Sequence, residues 1–381
     1  MIYLDNASTT RPDPSLQNII NKYLFEEFGN PGSLHSAGES AKEAIELSRT
    51  HISDFLHTTP ENIIFTSSGS EANTMAILGL EKYLKSINKT HIITSKYEHH
   101  SVLNSFKEME SRGFNVTYIN TPRGEVDVRE LKNSIKDNTG LVSIMYVNNE
   151  VGTINEIEKI YRICKSRGIL FHSDCVQAAG HLDVAVGETA DIITISGHKL
   201  HAPKGIGCVC ANNIHIISNI IYGGKQELGL RPGTENVAYI AAFGEIVSKI
   251  NILSERLHSN ELRINFVRTL LEECKRLGVD VLFNTHKGIK NISKILSIRF
   301  PGIDAHTLIL TLSDDVCVSS GAACSSGDIR QSHVLLSCGL SEEDAMSTIR
   351  VSFSSQNTVF EVRKAAKVIA ESAHMIKTKV F

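Results

Sequence analysis

Ile195-Ser-Gly-His-Lys-Leu-His-Ala-Pro-Lys-Gly-Ile-Gly207 decides the fold: its lysine, Lys199, follows a β-branched apolar run, and Asp174-Cys-Val-Gln177 stands shortly upstream at another strand end. An amine and a carboxylate so placed are what pyridoxal 5'-phosphate asks of a protein. Its aldehyde needs an amine for a Schiff base, and its ring nitrogen needs a carboxylate to stay protonated and draw electrons. Outward from this pair, short β-branched runs at 62–66, 90–94, 115–120, 141–147, 168–172 and 191–196 alternate with amphipathic helical stretches. That alternation predicts an α/β fold with a mostly parallel sheet covered by helices, with ligands beyond the carboxyl ends of its strands. A long helical region over 238–276, interrupted or bent, leads to a second pattern: strands near 279–283, 295–300, 316–318 and 348–353, then a closing helix over 359–377.

Length and composition agree with two domains of an ordinary globular chain, 381 residues with 41% hydrophobic and 21% charged side chains. We expect a large domain over 15–255 and a smaller α/β domain over 256–381 joined by 1–14. A net charge of -3 supplies no field to recruit nucleic acid or an anionic membrane. No window approaches ~18 uninterrupted apolar residues, and the first ten residues carry no basic-then-apolar leader, so a cytoplasmic protein is expected. Eight cysteines in so long a chain, without the dense spacing of a secreted scaffold, fit a reducing compartment.

Four further stretches fall where a ligand would sit. Thr66-Ser-Ser-Gly-Ser-Glu-Ala-Asn73 turns from a strand into a helix through small residues, and free amides plus hydroxyls there make a phosphate cradle. Alone, the same stretch reads more simply as a helix cap at Ser68 or Ser70. Lys96-Tyr-Glu-His-His-Ser101 offers an imidazole able to stack on a flat ring, and Val147-Asn-Asn-Glu-Val-Gly152 ends a buried strand in amides. Val318-Ser-Ser-Gly-Ala-Ala-Cys-Ser-Ser-Gly327 sets a cysteine among small residues, where a thiol is accessible. Cys208 and Cys210 instead read as buried packing residues; no second ligand pair at zinc spacing accompanies them, and no metal site is expected.

In this order the pieces resemble the cysteine desulfurases, pyridoxal-phosphate enzymes of fold type I in the aminotransferase class V group. The resemblance runs from Tyr3-Leu-Asp-Asn-Ala7 through Ser196-Gly-His-Lys199 to Ser319-Ser-Gly-Ala-Ala-Cys324. It implies that Lys199 holds the cofactor, Asp174 pairs with the ring nitrogen, His99 stacks on the ring and Gln177 meets the ring hydroxyl. Gly69, Ser70, Ser196 and His198 would bind the phosphate, joined by Thr234 from the neighbouring subunit of a homodimer. Asn149 and Arg350 would orient the substrate carboxylate. The implied reaction takes sulfur from L-cysteine, leaving alanine and a persulfide on Cys324 for an acceptor protein in iron–sulfur assembly, tRNA thiolation or DNA phosphorothioation. A selenocysteine lyase, or a non-catalytic sulfur carrier on the same fold, are the alternative readings.

Overall fold

The computed structural model describes residues 1–320 and 331–379. After the short β1 (Ile2–Tyr3), the chain builds β2 (Ile63–Thr66), β3 (His91–Ser95), β4 (Asn115–Ile119), β5 (Thr139–Ser143), β6 (Leu170–Asp174), β7 (Ile192–Ser196) and β8 (Gly207–Ala211). These seven form one sheet in the order β2-β8-β7-β6-β5-β3-β4, in which only β8 runs antiparallel to its neighbours. Alternate residues of each strand enter different apolar clusters: Ile193 and Ile195 of β7 join one, and Ile192 the other. A sheet buried on both faces needs continuous apolar strands, which is the pattern the sequence carries. Helices Ser36–Phe55 and Val237–Ser248 pack together on one side, Gly69–Leu78 and His100–Ser111 on the other.

The 141–147 run departs from expectation. Its ladder ends at Ser143, and the next residues continue as irregular extended chain held by β6, with Ile144 N donating to His172 O (3.1 Å) and Tyr146 N to Asp174 O (3.0 Å). β8 was not among the expected strands because its Gly-Cys-Val-Cys-Ala composition lacks the β-branched signature, while burial between β2 and β7 imposes the strand.

The helical region after residue 236 is two helices, Val237–Ser248 and Ile252–Leu277, bent by 80°. Asn251 at the break caps the second, its side chain accepting from Ser254 N. The first is apolar on most sides because it is buried, and no single helix among the described residues is long and apolar enough to cross a membrane. Beyond it lie β9 (Leu282–Phe283), β10 (Ile295–Arg299), β11 (Val316–Cys317), β12 (Ser319–Ser320) and β13 (Thr348–Ser352). A four-stranded antiparallel sheet, β12-β13-β10-β9, packs under helices Ile252–Leu277 and Val359–Lys379 around a separate apolar core. Ile2 and Leu4 belong to this second core, and β1 pairs with β11.

Candidate active site

Lys199 closes a single 3-10 turn, Gly197–Lys199, directly after β7. Its ammonium donates to Ala7 O at 2.6 Å and to Ser8 O. Burial, aided by the Arg350 guanidinium, pushes its pKa down to about 7, against the opposing pull of the Asp5 and Asp174 carboxylates. A share of the amine is therefore unprotonated near neutrality, as a nucleophile requires.

The segment that receives this ammonium is bonded to both cores. Leu4 N donates to Cys317 O (2.9 Å) and Ala7 N to Ser352 Oγ (2.8 Å) on one side. On the other, Thr10 N donates to His198 O (2.9 Å), His201 N to Thr10 Oγ1 (2.9 Å), and Gln177 Nε2 to Ala7 O (2.9 Å). Residues 4–10 thus strap the lysine turn, a role that no local sequence signal announces.

Asp174 ends β6, where its Oδ1 accepts from Val176 N (3.0 Å) and its Oδ2 from Asn73 Nδ2 (2.7 Å). The same amide group donates to Ser101 Oγ (2.9 Å), which is 2.7 Å from His99 Nδ1. Asn73 Oδ1 in turn accepts from Thr194 Oγ1 at 2.5 Å. One buried asparagine therefore joins the expected ring-nitrogen carboxylate to the expected stacking imidazole. Sequence reasoning passed over it, although a wholly buried asparagine inside a short helix is the kind of residue whose side chain must find partners.

His99 caps helix His100–Ser111, its Nδ1 accepting from Ser101 N (3.2 Å). Burial lowers its pKa, with Lys199 and His100 adding to the effect and Asp174 opposing it; the neutral ring keeps its proton on Nε2. His100 instead packs on His333, ring centroids 4.6 Å apart, so the structure separates the two histidines by environment.

Ser68, rather than Ser70, caps helix Gly69–Leu78 by accepting from Glu71 N, which leaves Ser70 free of capping. A Cβ on Gly69 would come within 3.1 Å of both Ser196 Cβ and Val176 Cγ2, and one on Gly207 within 2.8 Å of the Ser68 carbonyl carbon. Backbone here approaches backbone as a phosphate cradle demands. Beside it, the fully buried Ser196 Oγ has no hydrogen-bond partner among the described residues, and neither does Gln177 Oε1. These are orphaned polar atoms at positions assigned to the cofactor, so the residues present fit pyridoxal phosphate. His198 lies alongside, its Nδ1 3.2 Å from Thr9 Oγ1 and its pKa pushed down to about 4, first by burial and then by Lys199 and Lys204. Thr234 is exposed in the stretch before helix Val237–Ser248, a stretch anchored to the cradle helix by Arg231 Nε donating to Glu71 Oε1 (2.9 Å).

Arg350, on β13, crosses from the second core. Its Nη1 donates to Asn149 O (2.8 Å), and its Nη2 to Asp5 Oδ1 (3.0 Å) and Ser8 Oγ (2.6 Å). Nε is buried without a partner among the described residues. The structure thus brings Asn149 and Arg350 together, through the asparagine's carbonyl. Cys324 lies outside the described residues.

Two buried carboxyls complete the site, and sequence gave no cue to either. Glu98 accepts from Ser95 Oγ (2.5 Å) and Met145 N (3.0 Å), and burial raises its pKa to about 8. Glu150 accepts from Ser332 Oγ (2.5 Å), and burial raises its pKa to about 7.

The Aminotransferase class-V family profile matches residues 2–364. A cysteine desulfurase IscS of Clostridium botulinum strain Hall is 37% identical over 373 residues, spanning 97% of this chain and 93% of its own. Among solved structures, a NifS-like protein superposes with a TM-score of 0.88 at 33% identity, covering 97% of this chain and 98% of that one. SspA in complex with cysteine superposes with a TM-score of 0.80 at 31% identity, covering 94% and 100%. The chain is a member of the aminotransferase class V family, pyridoxal-phosphate proteins of fold type I.

Proposed function

We propose that this protein is a cysteine desulfurase. The observation that carries the reading is the convergence of a pKa-lowered Lys199, the Asp174 carboxylate and three unpartnered buried atoms, Ser196 Oγ, Gln177 Oε1 and Arg350 Nε, in a chain with cysteine desulfurases among its relatives. When bound, pyridoxal phosphate supplies an electron sink for charge developing at the substrate Cα. Lys199 would anchor the cofactor, Asp174 would hold the ring-nitrogen proton with Asn73 fixing the carboxylate's orientation, and His99 would meet the ring. Gly69, Ser70, Ser196 and His198 hold the phosphate, and Gln177 the ring hydroxyl. Arg350 presents its free edge to the carboxylate of L-cysteine, beside Asn149. The Lys199 amine takes the Cα proton.

The Cys324 thiolate attacks the substrate sulfur: an S–S bond forms, the substrate C–S bond breaks, and the carbon fragment is protonated to alanine. In forming the persulfide the two sulfurs together give up two electrons, which stay with the substrate carbon as its C–S bond breaks, so no outside oxidant enters. An acceptor protein then takes the outer sulfur. Thr234 reaches the cradle of a second copy, in a homodimer favoured by the exposed Phe25, Phe28, Leu34 and Leu228.

The test is alanine and sulfide release from L-cysteine plus a reductant, with cofactor-loaded wild type and Cys324→Ala. We expect turnover from the wild type, and from the variant a cysteine-dependent change in cofactor absorbance with almost no product. Equal turnover by both would remove Cys324 from the mechanism.

A further inference from the structure

Lys294, immediately before β10, is 5% exposed, and its ammonium makes no hydrogen bond or ion pair among the described residues. It lines a cavity of about 310 Å³ between helix Ile252–Leu277, the 290–294 segment and the turn containing His181. Three other residues lining that cavity carry buried polar atoms that also lack partners among the described residues: His181 Nδ1, Ser259 Oγ, and both Asn291 side-chain atoms. His181 and Ser259 are themselves 7% and 1% exposed. Arg256 stands exposed on the lining, and no aspartate or glutamate lines the cavity.

Buried polar groups are paired in folded proteins, and orphaned ones gathered around one cavity call for an occupant. Water can satisfy a hydroxyl or an amide, and the volume holds several molecules at about 30 Å³ each. Water does not neutralise an ammonium in such a cavity; a buried lysine without a close counter-charge gives up its proton, and a bound anion restores it. A smaller cavity shares His181 and Lys294 and runs on to Lys199, and its wall does include Asp13 and Glu255; neither forms an ion pair with Lys294, though the Glu255 carboxylate opposes the fall in its pKa. The larger cavity is framed from both cores, since Ile154 N donates to Lys290 O (2.9 Å) and Ile292 N to Gly152 O (2.8 Å).

We propose that the cavity lined by Lys294, His181, Asn291, Ser259 and Arg256 is a binding site for a small oxyanion, such as phosphate, sulfate or a carboxylate, distinct from the phosphate cradle at Gly69 and Ser70. The Asn291 amide and the Ser259 hydroxyl donate to the anion's oxygens and Lys294 supplies the charge, a pairing shorter and stronger than neutral hydrogen bonds. Burial holds the Lys294 pKa down at about 7, and a bound anion draws a proton onto it. Occupancy is therefore accompanied by proton uptake just above neutrality. The proposal is independent of the desulfurase reading.

The experiment titrates phosphate into the cofactor-loaded protein, whose cradle is already filled. Calorimetry at pH 8 in two buffers of different ionisation enthalpy reads proton uptake. Thermal melts with phosphate, sulfate and acetate, at ionic strength matched with chloride, read which oxyanion is preferred. We expect saturable binding with proton uptake, weakened about tenfold or more in Lys294→Met, with the cofactor's absorbance unchanged. Lys294→Gln, which keeps a donor without the charge, serves if the methionine variant does not fold and is expected to lose the proton uptake. Absence of saturable binding, or equal binding by wild type and variant, overturns the site and leaves the cavity to water.

Discussion

Asn73 Nδ2 lies 2.7 Å from Asp174 Oδ2, and the same amide bonds the serine that holds His99. The Asp174 carboxylate and the His99 imidazole, the two groups that would meet the cofactor ring, are therefore positioned by one side chain on helix Gly69–Leu78. Behind Asn73, the hydroxyl of Thr194 is 3.5 Å from His172 Nε2, and burial alone takes the His172 pKa down to about 3. The far end of the network is neutral, so the donor at Asp174 carries no competing charge.

Truncation to Asn73→Ala removes a hydrogen bond to a charged acceptor, worth about 1.5–3 kcal/mol. We expect kcat/KM for L-cysteine to fall roughly ten- to a hundredfold, together with a moved cofactor absorbance maximum. A lower melting temperature with an unmoved maximum would show that Asn73 only supports the fold.

The depressed Lys199 pKa sets the pH dependence of cofactor capture. Only the neutral amine attacks the aldehyde, so the capture rate of the cofactor-free protein should rise through about pH 7 and level off above it. An unperturbed lysine would keep accelerating toward about pH 10.4. Arg350→Met takes away a positive neighbour, which raises the Lys199 pKa and moves the midpoint upward. Stopped-flow absorbance across pH measures both.

Arg350→Lys keeps the charge but not the fork that reaches Asn149, Asp5 and Ser8 at once. The KM for L-cysteine should rise about tenfold or more while kcat changes less. Steady-state kinetics with cysteine as the varied substrate tests this split.

Glu98 has a folded pKa raised to about 8, so its contribution to stability is present below its ordinary value and is lost as pH rises through 8. Glu98→Gln keeps an acceptor for Ser95 and Met145 and cannot ionise. The variant should gain on the wild type steadily between about pH 4.5 and 8, as read by denaturant midpoints. A constant gap between the two across that range would place the Glu98 pKa elsewhere.

Much of the large sheet was legible because strands buried on both faces write a continuous apolar run, and the ligand residues fall at their carboxyl ends. β8 was not, since two cysteines and small residues take strand geometry only when flanked by β2 and β7. The 141–147 run was misjudged at its end for the related reason that burial continues past the last ladder bond. The choice of His99 over His100 came from resemblance, and the environment that separates them, Asp174 against His333, exists only after folding.

The alternating apolar runs determined the fold class, and the order of Asp174, Lys199 and the small-residue turns determined the resemblance that implies the cofactor, because that chemistry demands particular side chains at strand ends. Tertiary structure alone decided what holds those side chains. Asn73 meets Asp174 across 101 residues, Arg350 meets Asp5 across 345, and the carbonyls of Ala7 and Ser8 receive Lys199 from more than 190 residues away. Such contacts leave no local trace in composition or periodicity. Each is made by an ordinary residue that becomes functional only when burial removes its alternative partner, water.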